Sequence, residues 1–574
     1  FGSRQLQAFS LACRSAMFAT CMRLSICLVW AHGAVAAIAS YCRPADNCWP
    51  SDAEWHSLCT HSSCEVILRS DATYKKAVTL KDTRFQYLPG AVLNARTADD
   101  VVRAVRFALQ RRVEVRVFNT GHCYDGHCSG NDVLLIRVTQ LKSRAILLEE
   151  GLVTLGAGMT WGEAYSFAHS ASVGQQILVG GGDPSVGITG WALGGGHGPL
   201  VRAFGTGAHN LVRVELVDAS GELRNVSAHA SELPELFQAC KGGGGGTFGI
   251  VTKLTFRLHP EQRTHLFQLA INTSLSVWTS MKARAAALDQ TGFWLADTLS
   301  QGMLENDPLQ NIVEDDVSKA LISGGTLELS HQRAGELVFK LFVRAATDAD
   351  ADQKVAPLVA LAAVHPHAFT VLPTERYASF AEYASSAASK PPGTPEYSVS
   401  SLLGPAAFQS ADGRSSAVTA SVEGMERLDA EAMAAGSSTR HQCTMAFLGG
   451  KTGMGLAATA LHPTWERAVS VQACSAYGWS GAPDGAGLSA AAASMNQWSA
   501  VTLTPLGMRG GLLPAGYVNE AQTSNLTVNW RDFFWSKEKY STLLKAKRRY
   551  DPAGVFSCAH CVGDSESAAF TTVV

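Results

Sequence analysis

Residues 119–130 read NTGHCYDGHCSG, which places His122, Cys123, His127 and Cys128 within seven positions. The stretch follows VEVRVF (113–118), an alternating strand. A zinc site needs four convergent N or S ligands, usually as spaced pairs. Here they come as two adjacent His-Cys pairs, and neighbours on an extended chain point to opposite sides. No metal is therefore expected. A disulfide across the loop, or a task for only one of the four residues, is left open by spacing alone.

The pattern around this stretch is αβ from about residue 84. In TADDVVRAVRFALQRR, Thr97 is a helix cap, acids fill the first turn, and Val101, Val102, Val105, Phe107 and Leu109 follow along the helix. VLLIRV (133–138) and LVTLGAG (152–158) are strands, and TWGEAYSFAHSA (160–171) is a helix. Residues 210–228 form two strands around an Ala-Ser-Gly turn, and 248–260 form a long strand closed by Pro260. Residues 261–504 change character, with helical stretches at 345–363, 378–389 and 411–436 between short strands, and read as an insertion. An aromatic helix at 530–549, stopped by YDP, needs an apolar partner, for which the first domain is the natural choice.

The net charge of -2 gives no basis for nucleic-acid binding. From Met22 a short basic start (Arg23), an apolar run and Ala37-Ile38-Ala39 form a signal-peptide pattern over 22–40, with residues 1–21 upstream of it. That run is short of the ~20 apolar residues a membrane span needs. Secretion is expected, with no membrane partner. Eleven cysteines follow residue 40, so most should pair and at least one is left over. Residues 41–83 read as a disulfide-bearing staple, and Asn225, Asn272 and Asn525 stand in glycosylation sequons.

Two glycine-rich stretches accompany the opening one: VGGGDPSVGITGWALGGGHGPLVRAFGTG (179–207) and ACKGGGGGTFGIVT (239–252). Such loops expose backbone N–H groups that bind anions, pyrophosphate included. Three of them beside strands point to an extended, phosphate-bearing cofactor. The single-helix dinucleotide fingerprint is absent.

The ordered set NTGHCYDG, GDPSVGITGWALGGGHG, GGGGGTFGIVT, GYVN and YDPAGVF resembles the berberine bridge enzyme-like branch of the vanillyl-alcohol oxidase superfamily, and CWPSDAEW resembles its secreted, mostly fungal members. The resemblance covers 84–260 and 505–562 well and the middle loosely. It implies an α+β fold: a PCMH-type FAD-binding domain in two subdomains, 84–260 and a completing segment at 505–565, with an inserted antiparallel-sheet-plus-helices substrate domain at 261–504. It implies FAD joined covalently to His122, the one residue of the four so used. Asp183 stands where many members carry a second, cysteinyl link, so a single bond is expected. Val186 falls where oxygen access is gated, and a small residue there goes with oxidase behaviour.

By the same resemblance, Asn119, Thr120, Gly121, Gly126, Gly187, Gly190, Gly246, Gly249, Ile250, Val251 and Asn519 join His122, Asp183 and Val186 around the cofactor. Tyr124, His197 and Tyr517 are the candidates for proton handling. The expected activity is oxidation of an alcohol or sugar hydroxyl, with O2 as acceptor and H2O2 as co-product. A quinone-linked dehydrogenase, a non-catalytic secreted relative and a zinc module are the alternatives. The general base, if it lies in 261–504, is not identifiable from the sequence.

Overall fold

The computed structural model describes residues 41–564, apart from 61, 275–276, 278–279, 301–320, 330–335, 365, 388, 390–394, 411–414, 454, 478–484 and 521–528. Residues 22–40, expected to be a signal peptide, and the Asn525 sequon lie outside the described residues. Three sheets organise the described residues.

The first sheet contains β1 (Glu65–Leu68), β2 (Ala91–Asn94), β3 (Val115–Phe118) and β4 (Leu134–Arg137), in the order β1-β2-β4-β3. The strand β4 runs parallel to both β2 and β3, while β1 is antiparallel to β2. Residues 41–83, set apart in the sequence, thus contribute a strand to this sheet. Helix α1 (Ala98–Arg111) connects β2 to β3. Thr97 Oγ1 accepts from Asp100 N at 3.2 Å, and the Asp100 carboxylate accepts from Thr97 N at 2.9 Å. That reciprocal cap satisfies two N–H groups that have no partner within the helix.

The second sheet is antiparallel, built on the long strand β10 (Ile250–Pro260). Around it lie β5 (Arg144–Leu147), β6 (Leu152–Gly156), β7 (Gln176–Leu178), β8 (Leu211–Val217) and β9 (Leu223–Ser227), in the order β5-β6-β10-β8-β9 with β7 also on β10. Helix α2 (Trp161–Ala171) and the short α3 (Ile188–Leu193) flank the first glycine-rich loop.

The third sheet has seven strands, all antiparallel: β11 (Arg263–Asn272), β12 (Leu321–Leu329), β13 (Glu336–Ala345), β14 (Phe369–Tyr377), β15 (Glu396–Leu403), β16 (Arg440–Phe447) and β17 (Ser470–Tyr477), ordered β14-β11-β13-β12-β16-β17-β15. Successive side chains on a strand face opposite sides. One side of β12, β13 and β16 sends Leu327, Phe339, Leu341, Met445 and Phe447 into a core shared with α4 (Asp348–Val364), α5 (Ala417–Ala434) and α6 (Gly485–Trp498). The other side presents Thr326, Glu328, Lys340, Phe342, Thr444 and Ala446 to a cavity. At Gly324 this sheet touches the glycine-rich loop so closely that a Cβ would stand 2.3 Å from Pro199 O.

The aromatic helix expected over 530–549 is two helices, α7 (Trp530–Trp535) and α8 (Lys537–Tyr550). Ser536 breaks them with a φ of 63°. The break lets Phe533, Phe534 and Trp535 enter the core of the first two sheets. Trp535 Nε1 there donates to Gly242 O at 2.9 Å. The charged α8 then runs along the surface, and its buried Lys547 Nζ donates to Thr247 O at 2.6 Å and to Asp551 Oδ2 at 2.7 Å. Asp551, the acid of YDP, also accepts from Val555 N and Phe556 N. The C-terminal stretch is thereby fastened to the GGGGGTF loop.

Among the described residues five disulfides join near neighbours in sequence or adjacent strands: Cys42–Cys48, Cys59–Cys64, Cys123–Cys128, Cys443–Cys474 and Cys558–Cys561. The leftover cysteine is Cys240, a buried thiol whose pKa desolvation pushes up to about 12.

Candidate active site

A cavity of about 480 Å3 opens where the loops of the first two sheets meet the polar side of the third. The NTGHCYDGHC loop forms one wall. Asn119 Nδ2 donates to Ala157 O at 2.9 Å, fixing the start of the loop to the second sheet. Thr120 Oγ1 accepts from Gly187 N at 3.1 Å and bonds His122 Nδ1 at 2.8 Å, while Ser185 Oγ bonds His122 Nε2 at 3.2 Å. The His122 ring is therefore held from both nitrogens by two glycine-loop segments.

Cys123 and Cys128 are joined to each other. Two of the four ligands a zinc reading needs are thus consumed. The one His/Cys/Asp/Glu grouping of metal-binding size among the described residues is Cys42, Asp46 and Cys48, and its two thiols are likewise a disulfide. The remaining polar residues of the loop form their own pair: Asp125 contacts His127 directly and lies 3.8 Å from His560 Nδ1. Burial opposes charge on both Asp125 and His127. Their mutual attraction overrides it, holding the carboxyl below its usual range and the imidazole above its own.

The second wall is the segment around α3. Asp183 Oδ1 accepts from Ser185 N at 2.8 Å, which shapes the turn before α3 and keeps Asp183 and Val186 on the cavity. Gly187 has no room for a side chain, since a Cβ there would stand 2.3 Å from Asn119 Nδ2. Gly190 and Gly246 differ: a Cβ at either would meet nothing within 4 Å, and at Gly245 only Gly190 Cα, at 3.8 Å. These three glycines border open space rather than packed neighbours. Gly249 and Val251 also line the cavity. Ile250 does not: strand alternation turns it into the core, where it is fully buried. Gly126 does not line it either, being pressed against the Phe85 ring. Gly121 remains on the wall.

The third wall carries Tyr517, Asn519 and His197. Asn519 Nδ2 donates to the Tyr517 hydroxyl at 2.8 Å and to Gly190 O at 3.1 Å. The Tyr517 ring meets the His197 ring edge to face, with centroids 4.8 Å apart. Burial, reinforced by a nearby negative charge at Glu520, drives the ionisation of both Tyr517 and Tyr124 well above the ordinary tyrosine range.

Glu520 is a cavity residue that the sequence reading passed over. Its Oε1 lies 2.9 Å from His197 Nε2. Its position directly after the GYVN motif was the available signal. The third sheet adds the Glu328–Lys340 pair (2.8 Å), with Thr326 donating to Glu328 at 2.8 Å. Two buried polar atoms on the wall, Asn119 Oδ1 and Arg116 Nε, have no hydrogen-bond partner among the described residues.

Comparison with known proteins agrees with this layout. Residues 89–227 match the model of an FAD-binding domain family. The chain is 36% identical over 258 residues to the FAD-linked oxidoreductase ffsJ of Aspergillus flavipes, covering 43% of this chain and 41% of that protein. It is 28% identical over 488 residues to the VAO-type flavoprotein oxidase VAO615 of Thermothelomyces thermophilus, covering 83% and 76%. The chain thus spans less than half of the first of these relatives. Among solved structures, the VAO-type flavoprotein MtVAO615 from Myceliophthora thermophila C1 superposes with a TM-score of 0.69 at 21% identity, over 92% of this chain and 97% of that one. A xylooligosaccharide oxidase from the same fungus, solved with xylobiose, gives 0.68 at 18% identity over 87% and 97%. The chain thus carries a match to an FAD-binding domain over 89–227, aligns along most of its length with a VAO-type flavoprotein oxidase, and shares the fold of VAO-type flavoproteins.

Proposed function

We propose that the protein is a secreted FAD-dependent oxidase that takes a hydride from an alcohol or sugar hydroxyl, with its flavin held through a single covalent bond to His122. The observation that carries this reading is the cavity itself. Glycines 190, 245 and 246 leave a strip of backbone with no Cβ to obstruct a bound group. The unpartnered Asn119 Oδ1 and Arg116 Nε supply hydrogen-bonding capacity beside it. These features fit a long, polar, phosphate-bearing cofactor. When bound, the flavin supplies a hydride acceptor and passes the electrons on to O2, giving H2O2.

The chain's own residues then have separable tasks. Thr120 and Ser185 orient the His122 ring for attachment. Asp183 has no thiol to make a second link. Val186 keeps a small side chain on the wall, leaving room for O2. Asn519 ties Tyr517 to the α3 segment. On the facing sheet, Thr326, Glu328, Lys340 and Thr444 offer donors and acceptors, and Phe342 and Tyr383 offer aromatic surface. That mixture suits a substrate with several hydroxyl groups.

Five disulfides support passage through an oxidising compartment. No helix among the described residues is long and apolar enough to cross a membrane. Asn225 lies exposed on β9, accessible to glycosylation.

The test is made on protein secreted from a eukaryotic host and precipitated with acid. Yellow colour stays in the wild-type pellet and moves to the supernatant, or is absent, in His122→Ala. A panel of alcohols, monosaccharides and short oligosaccharides then consumes O2 and yields equal H2O2. Flavin bleached by substrate and reoxidised by benzoquinone but not by air would assign a dehydrogenase instead. A colourless, folded wild type would overturn the reading.

A further inference from the structure

Oxidising a hydroxyl to a carbonyl removes a hydride from carbon and a proton from oxygen, so the site needs a proton acceptor. His197 and Glu520 come from segments 323 residues apart and meet on the cavity wall at 2.9 Å, Nε2 to Oε1. Their side chains are only 12% and 26% exposed. With the ring hydrogen on Nε2 donated to the carboxylate, Nδ1 carries the acceptor lone pair. Nδ1 makes no hydrogen bond among the described residues. This is the arrangement of a base oriented by a third group.

The charge of Glu520 decides between this base and the tyrosines. One carboxylate raises the cost of a phenolate at both Tyr517 and Tyr124. The same carboxylate stands 2.9 Å from the His197 ring and fixes its orientation. Tyr517 is further committed as an acceptor from Asn519 Nδ2. Of the other charged groups on the cavity, Glu328 pairs with Lys340 at 2.8 Å and Arg116 with Glu114 at 2.6 Å. Tyr517, Tyr124, Asp183, His122, His127 and Tyr383 are the further titratable groups on its lining.

We propose that His197, backed by Glu520, accepts the substrate hydroxyl proton, while Tyr124 and Tyr517 stay protonated and position the substrate oxygen; this rests on the oxidase reading above. The O–H bond breaks and its electron pair becomes the second bond of the carbonyl. The hydrogen on carbon would leave with its electron pair as hydride, for which the flavin of that reading would be the acceptor. The proton lands on His197 Nδ1, whose positive charge the Glu520 carboxylate compensates, and is later released to water. In this scheme His197 is the catalytic base and Glu520 a positioning residue.

The experiment uses flavin-loaded wild type, His197→Gln, Glu520→Gln, Glu520→Asp and Tyr517→Phe. Anaerobic flavin bleaching is followed by stopped flow across pH, with an alcohol or sugar identified from the panel. His197→Gln slows bleaching by ~10²–10⁴-fold while changing substrate affinity little. Glu520→Gln slows it less, and Glu520→Asp restores part of the rate. A second readout needs no turnover. In holoenzyme carrying 15N-labelled histidine, the neutral His197 ring holds its hydrogen on Nε2 in wild type and in Tyr517→Phe, and loses that preference in Glu520→Gln. Bleaching in His197→Gln at the wild-type rate overturns the proposal, as does a tautomer balance unmoved by Glu520→Gln. Wild type that no alcohol or sugar bleaches overturns the oxidase reading, and the base role with it, even if the tautomer balance responds.

Discussion

Asp125 lies between two imidazoles, touching His127 directly and standing 3.8 Å from His560. Its depressed pKa means that its contribution to stability is present above the unfolded value of ~3.9 and is lost as pH falls through the folded one. The raised pKa of His127 means that its contribution is full below ~6.5 and is lost as pH rises through the folded value. The pair therefore stabilises most between about pH 4 and 6.5. His127→Gln should lower the melting temperature most near pH 5.5 and least above pH 8, as read by thermal unfolding across that range. Single residues were also where the sequence was least legible. His122 stands in a recognisable loop, but Glu520 looks like any surface acid until folding brings it across 323 positions to His197. Ile250, by contrast, belongs to a motif whose neighbours line the cavity, yet strand alternation buries it.

The glycine-rich loops show how differently similar residues act within an element. Gly190 sits inside α3 with open space before it, whereas a Cβ at Gly198 would stand 2.1 Å from Gly180 O. Gly190→Leu should fold, melt close to wild type and carry at least tenfold less flavin, as measured by absorbance ratio and melting temperature. Gly198→Ala should instead reduce the yield of folded protein. The two outcomes separate a cofactor cradle from a packing requirement. Most elements followed from local signals: α1 from its Thr97 cap, β10 from a long strand stretch closed by Pro260, and the loops from their glycines. The division between α7 and α8 did not, because a serine at positive φ carries no sequence signal and is imposed by burial of Trp535. Nor did residues 41–83 announce that they supply a strand to the first sheet. Strand pairing is a long-range choice that composition does not encode.

At the scale of the whole molecule, the third sheet supplies one wall of the cavity and the first two supply the rest. The third sheet's start after Pro260 was legible as a change in composition. Its cavity-facing row was not, because which side of a strand faces solvent depends on what packs against it. The chain then returns, and the buried Lys547–Asp551 pair locks the last helix to the Thr247 carbonyl. Removing one partner of such a pair leaves a buried charge uncompensated. Asp551→Asn should therefore cost ~3–5 kcal/mol, seen in chemical denaturation, with flavin loss preceding unfolding. The same closure sets an order of events during biosynthesis. The cavity wall draws on residues from Arg116 to Cys558. Until α8 and the residues up to Cys558 have been made and docked, that wall lacks its strap. Flavin capture then waits on this docking, and a protease that removes α8 would loosen the cavity without cutting any of the loops that line it.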